Sequence, residues 1–340
     1  MLETIRKSIV DGKDYTYVRN HDKEVDAMEE KLAGLYGASH VLLTSSGMAA
    51  ISTFFDSFPI WDEEKRIDWN PPFTILMDRN TYYETRELVE KFTSHKVIYL
   101  DFKKMMEEEH PKDWEKIFSQ VMEVVPIQIV YLDYPDFFGT MVDLRKVAVM
   151  AHQKGAILMV DNSILSIGGA DPLTMGADIV VESYTKYVMG HGDCMAGGII
   201  FGHSEGAHLA YKQVKRRIGR AGRYIPPETL YLIDRGLETL DIRLGRHTQS
   251  AKKIRDALVG AGHTVLWAGK GGSLILPGKK QDFCKDLEVF RKLPTFGTTY
   301  STWGYVRSPD YYTVGDYVRL FVGLEPVENL LEDLSRAKII

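Results

Sequence analysis

The stretch ADIVVESYTKYVMGHGD, residues 177–193, carries one lysine, Lys186, just past an unbroken apolar run. Residues 179–181 show no polar alternation, the pattern of a strand covered on both faces of a sheet. The composition then turns to hydroxyls, Ser183 and Thr185 around Tyr184, to the amine, and to the glycine-flanked His191. In an open α/β sheet, ligands collect where such strands end and helices begin. Residues 177–193 therefore predict a buried strand with a ligand-facing end.

The same pattern recurs along the chain. HVLLTSS (40–46), FTILMD (73–78), HKVIYL (95–100), IQIVYLDYP (127–135), GAILMVDN (155–162), GADIVVES (176–183) and AGGIIFG (196–202) are short apolar runs. They read as buried parallel strands, and stretches such as VDLRKVAVMAHQKG (142–155) read as helices covering the sheet. Residues 226–262 open on prolines, carry apolar residues at helical spacing and end on glycines, which predicts long bridging helices. Beyond them HTVLW, GGSLILP and DYVRLFVGLE predict strands of a second, smaller α+β unit. A chain of 340 residues has room for both. The expected division is an N-terminal arm (1–19), a large domain (20–225), and bridging helices with a C-terminal domain (226–340).

A formal charge of -5 gives no electrostatic case for nucleic acid or an anionic membrane, and neither is an expected partner. The opening MLETIRKSIVDGKDYTY lacks the apolar core of a secretory leader, and no stretch reaches the ~18 apolar residues of a spanning helix. The expected location is the cytoplasm. Cys194 and Cys284 lie far apart without CxxC spacing, so no disulfide framework and no metal site is predicted.

Three strand ends carry chemistry. Ser45, Ser46, Gly47 and Met48 could open a helix whose backbone amides face an anion, or simply cap it. Asp161 ends a buried strand, where an isolated carboxylate costs several kcal/mol without a partner; it reads either as a cap or as the partner of a buried cation. Lys186 behind Ser183 and Thr185 is either a solvated loop or a phosphate-holding turn whose amine reaches a carbonyl. Together they supply a phosphate cradle, an acid for a pyridinium nitrogen and an imine-forming lysine, which is what pyridoxal 5'-phosphate requires.

These residues, in the segment 160–193 with SSGMAA (45–50) upstream and RGLETL (235–240) and RLFVGLE (319–325) downstream, resemble the cysteine and methionine metabolism family of pyridoxal phosphate enzymes. That family includes cystathionine γ-synthase, cystathionine γ- and β-lyases and methionine γ-lyase. The resemblance runs from about Tyr15 to the C-terminus. It implies an α/β transferase fold of type I, with a mostly parallel seven-stranded sheet and a smaller C-terminal α+β domain. It further implies that Lys186 forms the Schiff base, that Asp161 meets the pyridine nitrogen, and that Gly47, Met48, Ser183 and Thr185 hold the phosphate. Tyr82, in TYYET, would stack on the ring and serve with Tyr17 as a candidate acid. Tyr17 and Arg19, in YTYVRN, match a Y-x-R lent to the neighbouring subunit's phosphate site, which implies a homodimer, with a tetramer possible. Arg319 would bind the substrate carboxylate. Plainer readings stand beside these: Tyr82 as a core aromatic, Arg319 in a strand-edge ion pair, His191 as structural.

The sequence departs from the family at four places. The arm before Y-x-R is short. The stretch DYPDFF sets Phe137 where an asparagine is usual, Glu84 stands where glycine or cysteine is usual, and TFGTTYS (295–301) sets Thr295 for serine and Tyr300 for glutamate. Thr295 and Glu84 therefore become candidate substrate contacts. The implied activity is γ-elimination on an L-amino acid bearing a sulfur, acyloxy or halide leaving group. γ-Replacement and β-elimination use the same residues. An aminotransferase or a non-catalytic relative would represent another class.

Overall fold

The computed structural model describes residues 22–58, 61–62, 67–68, 72–107, 113–223, 225–278, 283–307 and 314–340. In chain order the strands are β1 (His40–Thr44), β2 (Trp61–Asp62), β3 (Ile67–Asp68), β4 (Thr74–Asp78), β5 (Lys96–Leu100), β6 (Ile129–Asp133), β7 (Ile157–Asp161), β8 (Ile179–Glu182), β9 (Gly197–Phe201), β10 (Ser273–Pro277), β11 (Arg291–Lys292), β12 (Thr302–Arg307) and β13 (Val314–Phe321). Seven of them form one sheet in the order β1-β9-β8-β7-β6-β4-β5. The four strands β10-β13-β12-β11 form a second, smaller sheet, and β2 pairs with β3.

All seven apolar runs become strands of the large sheet; the inner ones are buried on both faces, whereas the edge strand β5 is only partly buried. Leu76, Val130, Leu158, Val180 and Ile200 point into one core cluster, while Ile75, Ile129, Met159, Ile179 and Ile199 point into another. The two-residue side-chain period assigns alternate residues to opposite faces, so every position in the run must be apolar. One strand departs from the predicted direction: β9 runs antiparallel to both β1 and β8. An apolar run looks the same in either direction, so its composition carries no information on polarity.

Helix ends follow their local chemistry. Asp22 caps the helix Lys23–Tyr36 by accepting from the amides of Glu24 and Val25, and Gly37 ends it at φ 58°. Ser46 caps Gly47–Asp56 through the amide of Ala49. The predicted bridge is two helices, Pro227–Leu237 and Leu240–Gly260. HTVLW does not become a strand: only Leu266 pairs, with Ile275. Trp267 Nε1 donates to Gly271 O at 3.1 Å, and this tight turn limits the pairing to one residue. Among the described residues no helix is long and apolar enough to cross a membrane.

Candidate active site

The reversed strand β9 brings the site together. β1 and β8 both oppose it, so they run parallel to each other, and Thr44 and Glu182 stand against the adjacent glycines Gly197 and Gly198. The helix start Ser46–Gly47, just past the end of β1, therefore meets Ser183, just past the end of β8. The approach is close enough that a Cβ on Gly47 would lie 2.7 Å from Ser183 Cβ, and one on Gly197 would lie 2.7 Å from Gly47 N. Only glycine leaves that helix start open, with its first amides directed at whatever anion sits before them. Ser183 is itself placed by its amide, which donates to Ser163 Oγ at 2.8 Å. Met48 lies in the same first turn, its sulfur 4.0 Å from Thr85 Oγ1. Thr185 is engaged with the backbone instead: Thr185 Oγ1 donates to Ala196 O at 3.2 Å and accepts from Ala196 N at 3.2 Å.

Asp161 ends β7 opposite Asp133 at the end of β6. Asp161 Oδ1 accepts from Ser163 N at 2.9 Å, and Oδ2 accepts from Tyr131 OH at 3.3 Å. Burial raises its proton affinity, while the hydrogen bonds from Ser163 and Tyr131 and the charge of Lys186 oppose that rise. Asp133 caps the neighbouring helix start by accepting from Tyr82 N at 2.8 Å. Its other oxygen is buried without a hydrogen-bond partner, and burial beside Asp161 raises Asp133 strongly.

Lys186 lies in the turn after β8. Its Nζ donates to Thr295 Oγ1 at 3.4 Å and sits 4.8 Å from the centroid of the Phe296 ring. Burial and the charge of Arg319 draw its amine down to about 8, with Glu84 and Asp161 pulling the other way. The turn itself is fixed from below by Arg243. Its guanidinium donates to Tyr187 O (2.7 Å), Val188 O (3.1 Å) and Gly236 O (2.6 Å). On the other side Gly297, at φ +77°, presses against the turn so closely that a Cβ there would be 2.6 Å from the Lys186 carbonyl carbon.

Arg319 comes from β13 of the small sheet. β13 is an inner strand, and among the described residues Arg319 forms no ion pair with a carboxylate, so the strand-edge ion pair is excluded. Its Cζ stands 5.1 Å from the same Phe296 ring that meets Lys186. Burial lowers its guanidinium to about 10, opposed by Tyr82 and Tyr187. A buried guanidinium lacking a carboxylate is suited to receive one from a ligand.

Tyr82 is 38% exposed and is not a core aromatic. It packs edge-on against Tyr83 with centroids 5.0 Å apart, and Tyr83 OH donates to Glu84 Oε1 at 2.9 Å. Burial and Glu84 push the Tyr82 hydroxyl up, so it stays protonated. Phe137 joins a small apolar cluster with Phe138, Ile275 and Leu266. Tyr300 closes over the loop after the lysine turn, where a Cβ on Gly192 would be 2.6 Å from its hydroxyl. His191 Nδ1 lies 2.5 Å from Met189 O. Tyr17 and Arg19 lie outside the described residues.

Lys186, Asp161, Ser183, Gly47, Thr295 and Arg319 are thus drawn to one edge of the sheet from positions spread along the chain. Sequence reading missed Tyr131, Asp133, Arg243, Phe296 and Gly297. Asp133 carried the same signal as Asp161, a carboxylate closing an apolar run. Phe296 and Gly297 lie in the TFGTTYS loop that the sequence had marked, though neither was singled out there, and nothing marked Tyr131 or Arg243. The residues suit pyridoxal 5'-phosphate: an anion-accepting helix start that only glycine keeps open, an amine near neutrality, and a carboxyl at the end of a buried strand.

A large mostly parallel sheet joined through long helices to a smaller, mostly antiparallel one, with the site between them, is the fold of type I pyridoxal phosphate enzymes. The model of the Cys/Met metabolism PLP-dependent enzyme family matches residues 3–266, and the chain belongs to that family. It is similar to a Bacillus subtilis cystathionine γ-synthase/O-acetylhomoserine (thiol)-lyase, 26% identical over 97% of this chain and 87% of the relative. An O-succinylhomoserine sulfhydrylase of Pseudomonas aeruginosa is 30% identical over 71% of this chain and 55% of that protein. Among solved structures, cystathionine γ-lyase from Lactobacillus plantarum superposes with a TM-score of 0.81 at 21% identity, covering 96% of this chain and 89% of that one.

Proposed function

We propose that the enzyme catalyses γ-elimination on an L-amino acid whose side chain carries a sulfur, acyloxy or halide leaving group. The observation that carries this reading is the Lys186 amine, drawn to about 8 and, among the described residues, hydrogen-bonded only to Thr295 Oγ1, at a long 3.4 Å, with the Phe296 ring beside it. γ-Elimination needs a base that works at two carbons in turn, and a loosely held amine can move between them. Pyridoxal 5'-phosphate, when bound, supplies the electron sink that makes the substrate Cα–H acidic.

In this reading Lys186 is the attachment residue and then, as free amine, removes the Cα proton and shifts a Cβ proton. Asp161 holds a proton on the pyridine nitrogen, and Gly47, Met48 and Ser183 surround the phosphate, which Thr185 joins once its hydroxyl turns from Ala196 O. Arg319 binds the α-carboxylate through paired hydrogen bonds. Tyr82, whose hydroxyl stays protonated, donates to the leaving group, with Tyr17 as the second candidate. Thr295 and Glu84 face the substrate side chain.

γ-Replacement is the second reading, supported by the two relatives named for synthase and sulfhydrylase chemistry. Purified enzyme is mixed with cystathionine, homocysteine, methionine, O-acylhomoserines and γ-halogenated analogues, with and without an added thiol. Keto acid and ammonia without thiol support elimination; a thioether formed only when thiol is present moves the assignment to replacement. No turnover of any γ-substituted compound, with β-substituted ones consumed, overturns the γ reading.

We also propose a cytoplasmic homodimer with residues 20–225 as the cofactor domain and 226–340 as the smaller one. Met195, Tyr231 and Ile242 are 62–75% exposed, apolar surface that a second copy can cover. In the dimer Tyr17 and Arg19 reach the neighbour's phosphate site. Light scattering at the monomer mass overturns the dimer.

A further inference from the structure

One aromatic ring stands between the two cations of the site. The Phe296 centroid is 4.8 Å from Lys186 Nζ and 5.1 Å from Arg319 Cζ. Two like charges sharing a buried space repel, and Arg319 is indeed among the groups that favour the neutral form of Lys186. The face of an aromatic ring carries negative potential and attracts a cation held within about 6 Å. Both distances fall inside that range.

The ring is not free to move away. Phe296 is only 9% exposed and packs with Tyr187, Leu240, Leu244 and Phe321. The next residue, Gly297, sits against the Lys186 backbone in a positive-φ conformation that other residues adopt only with strain. The loop contact therefore sets the ring beside the lysine backbone, while the packing of Phe296 beside Phe321 on β13 ties the ring to the strand that carries Arg319.

We infer that Phe296 is a positioning residue, its ring face holding the Lys186 ammonium and the Arg319 guanidinium together in one buried site. An aliphatic side chain of similar size fills the same volume and supplies no such attraction. While the lysine carries no cofactor, the ring thus keeps part of it protonated and the guanidinium in place.

This inference rests on Lys186 being the reactive amine, and the test separates the two. Phenylalanines with one, two and three ring fluorines are incorporated at position 296 alone, which drains the ring face stepwise at nearly constant shape. The cofactor-free protein is mixed with pyridoxal 5'-phosphate across a pH range and the rate of attachment is followed by absorbance; thermal midpoints monitor folding. The neutral amine is the form that reacts. The pH midpoint is therefore expected to fall with each fluorine, by about half a unit for three, with unchanged thermal midpoints. Phe296→Leu is expected to match the trifluoro variant in midpoint and to raise KM for the amino acid. A midpoint that stays fixed across the fluorine series in folded protein overturns the inference. Attachment that survives Lys186→Ala instead overturns the reading of Lys186 itself.

Discussion

Around Lys186 the chain is fixed by backbone; across from it, the site is made of side chains. On the sheet side, Gly47 and Gly197 bring the chain against its neighbours at spacings where a single Cβ collides. Arg243 fixes three carbonyls in and beneath the lysine turn. On the opposite side Thr295 and Phe296 come from one loop and Glu84 from a helix start, each acting on the Lys186 amine. The two sides control different parts of a reaction. Cofactor geometry tolerates no displacement and is set by main chain, whereas substrate choice can change by exchanging side chains on a standing frame.

The sharpest way to break this contrast is Lys186→Ala. It is expected to remove cofactor attachment and to lower turnover by about 10,000-fold or more, read from absorbance and keto-acid release. Next is Gly47→Val, which places a branched side chain against Ser183; cofactor affinity should fall about 10- to 100-fold with folding retained. Equal affinity in that variant would mean the backbone side is looser than its glycines imply. Arg319→Lys tests the other side: KM should rise about 10-fold, because a point charge replaces a fork, while the cofactor spectrum is unchanged.

The smallest effect concerns the support beneath the sheet. Glu182 accepts hydrogen bonds from Tyr36 OH at 2.7 Å and from Ser166 Oγ, and burial raises its carboxyl from 4.5 to about 8. The native state then binds a proton that the unfolded chain releases between those values. Stability is fully present below about 4.5 and declines as pH rises towards 8. Glu182→Gln is expected to flatten that decline, measured as thermal midpoints at pH 5 and 8; an unchanged slope shows that other buried carboxyls carry it.

The strands of the large sheet were legible because burial leaves runs dominated by apolar residues, unbroken where both faces are covered, and Asp161 and the turn carrying Lys186 were legible because polar residues follow such runs. β9's direction was not, since reversal preserves composition. β12 was also missed: TWGYVR has a glycine at its centre, and its pairing partner β13 supplies the context. Arg243, Tyr131, Phe296 and Gly297 acquire their roles only through contacts with distant segments. A helical arginine, a strand tyrosine and a loop Phe-Gly look ordinary until the fold sets a carbonyl, a carboxylate or two cations beside them.

The pairing of β1 with β9 also has a bearing on synthesis. Residues 40–44 leave the ribosome early, yet their hydrogen-bonded neighbours are residues 197–201. Until that later segment emerges, Val41 and Leu43 have an open edge and the helix start at Gly47 faces no serine. On the proposed placement of the phosphate between Gly47 and Ser183, cofactor has nowhere complete to bind on a nascent chain that ends before β9. Loading becomes a late, post-assembly event, and the slow long-range closure of this one strand is the step at which a growing chain is most exposed to association with its neighbours.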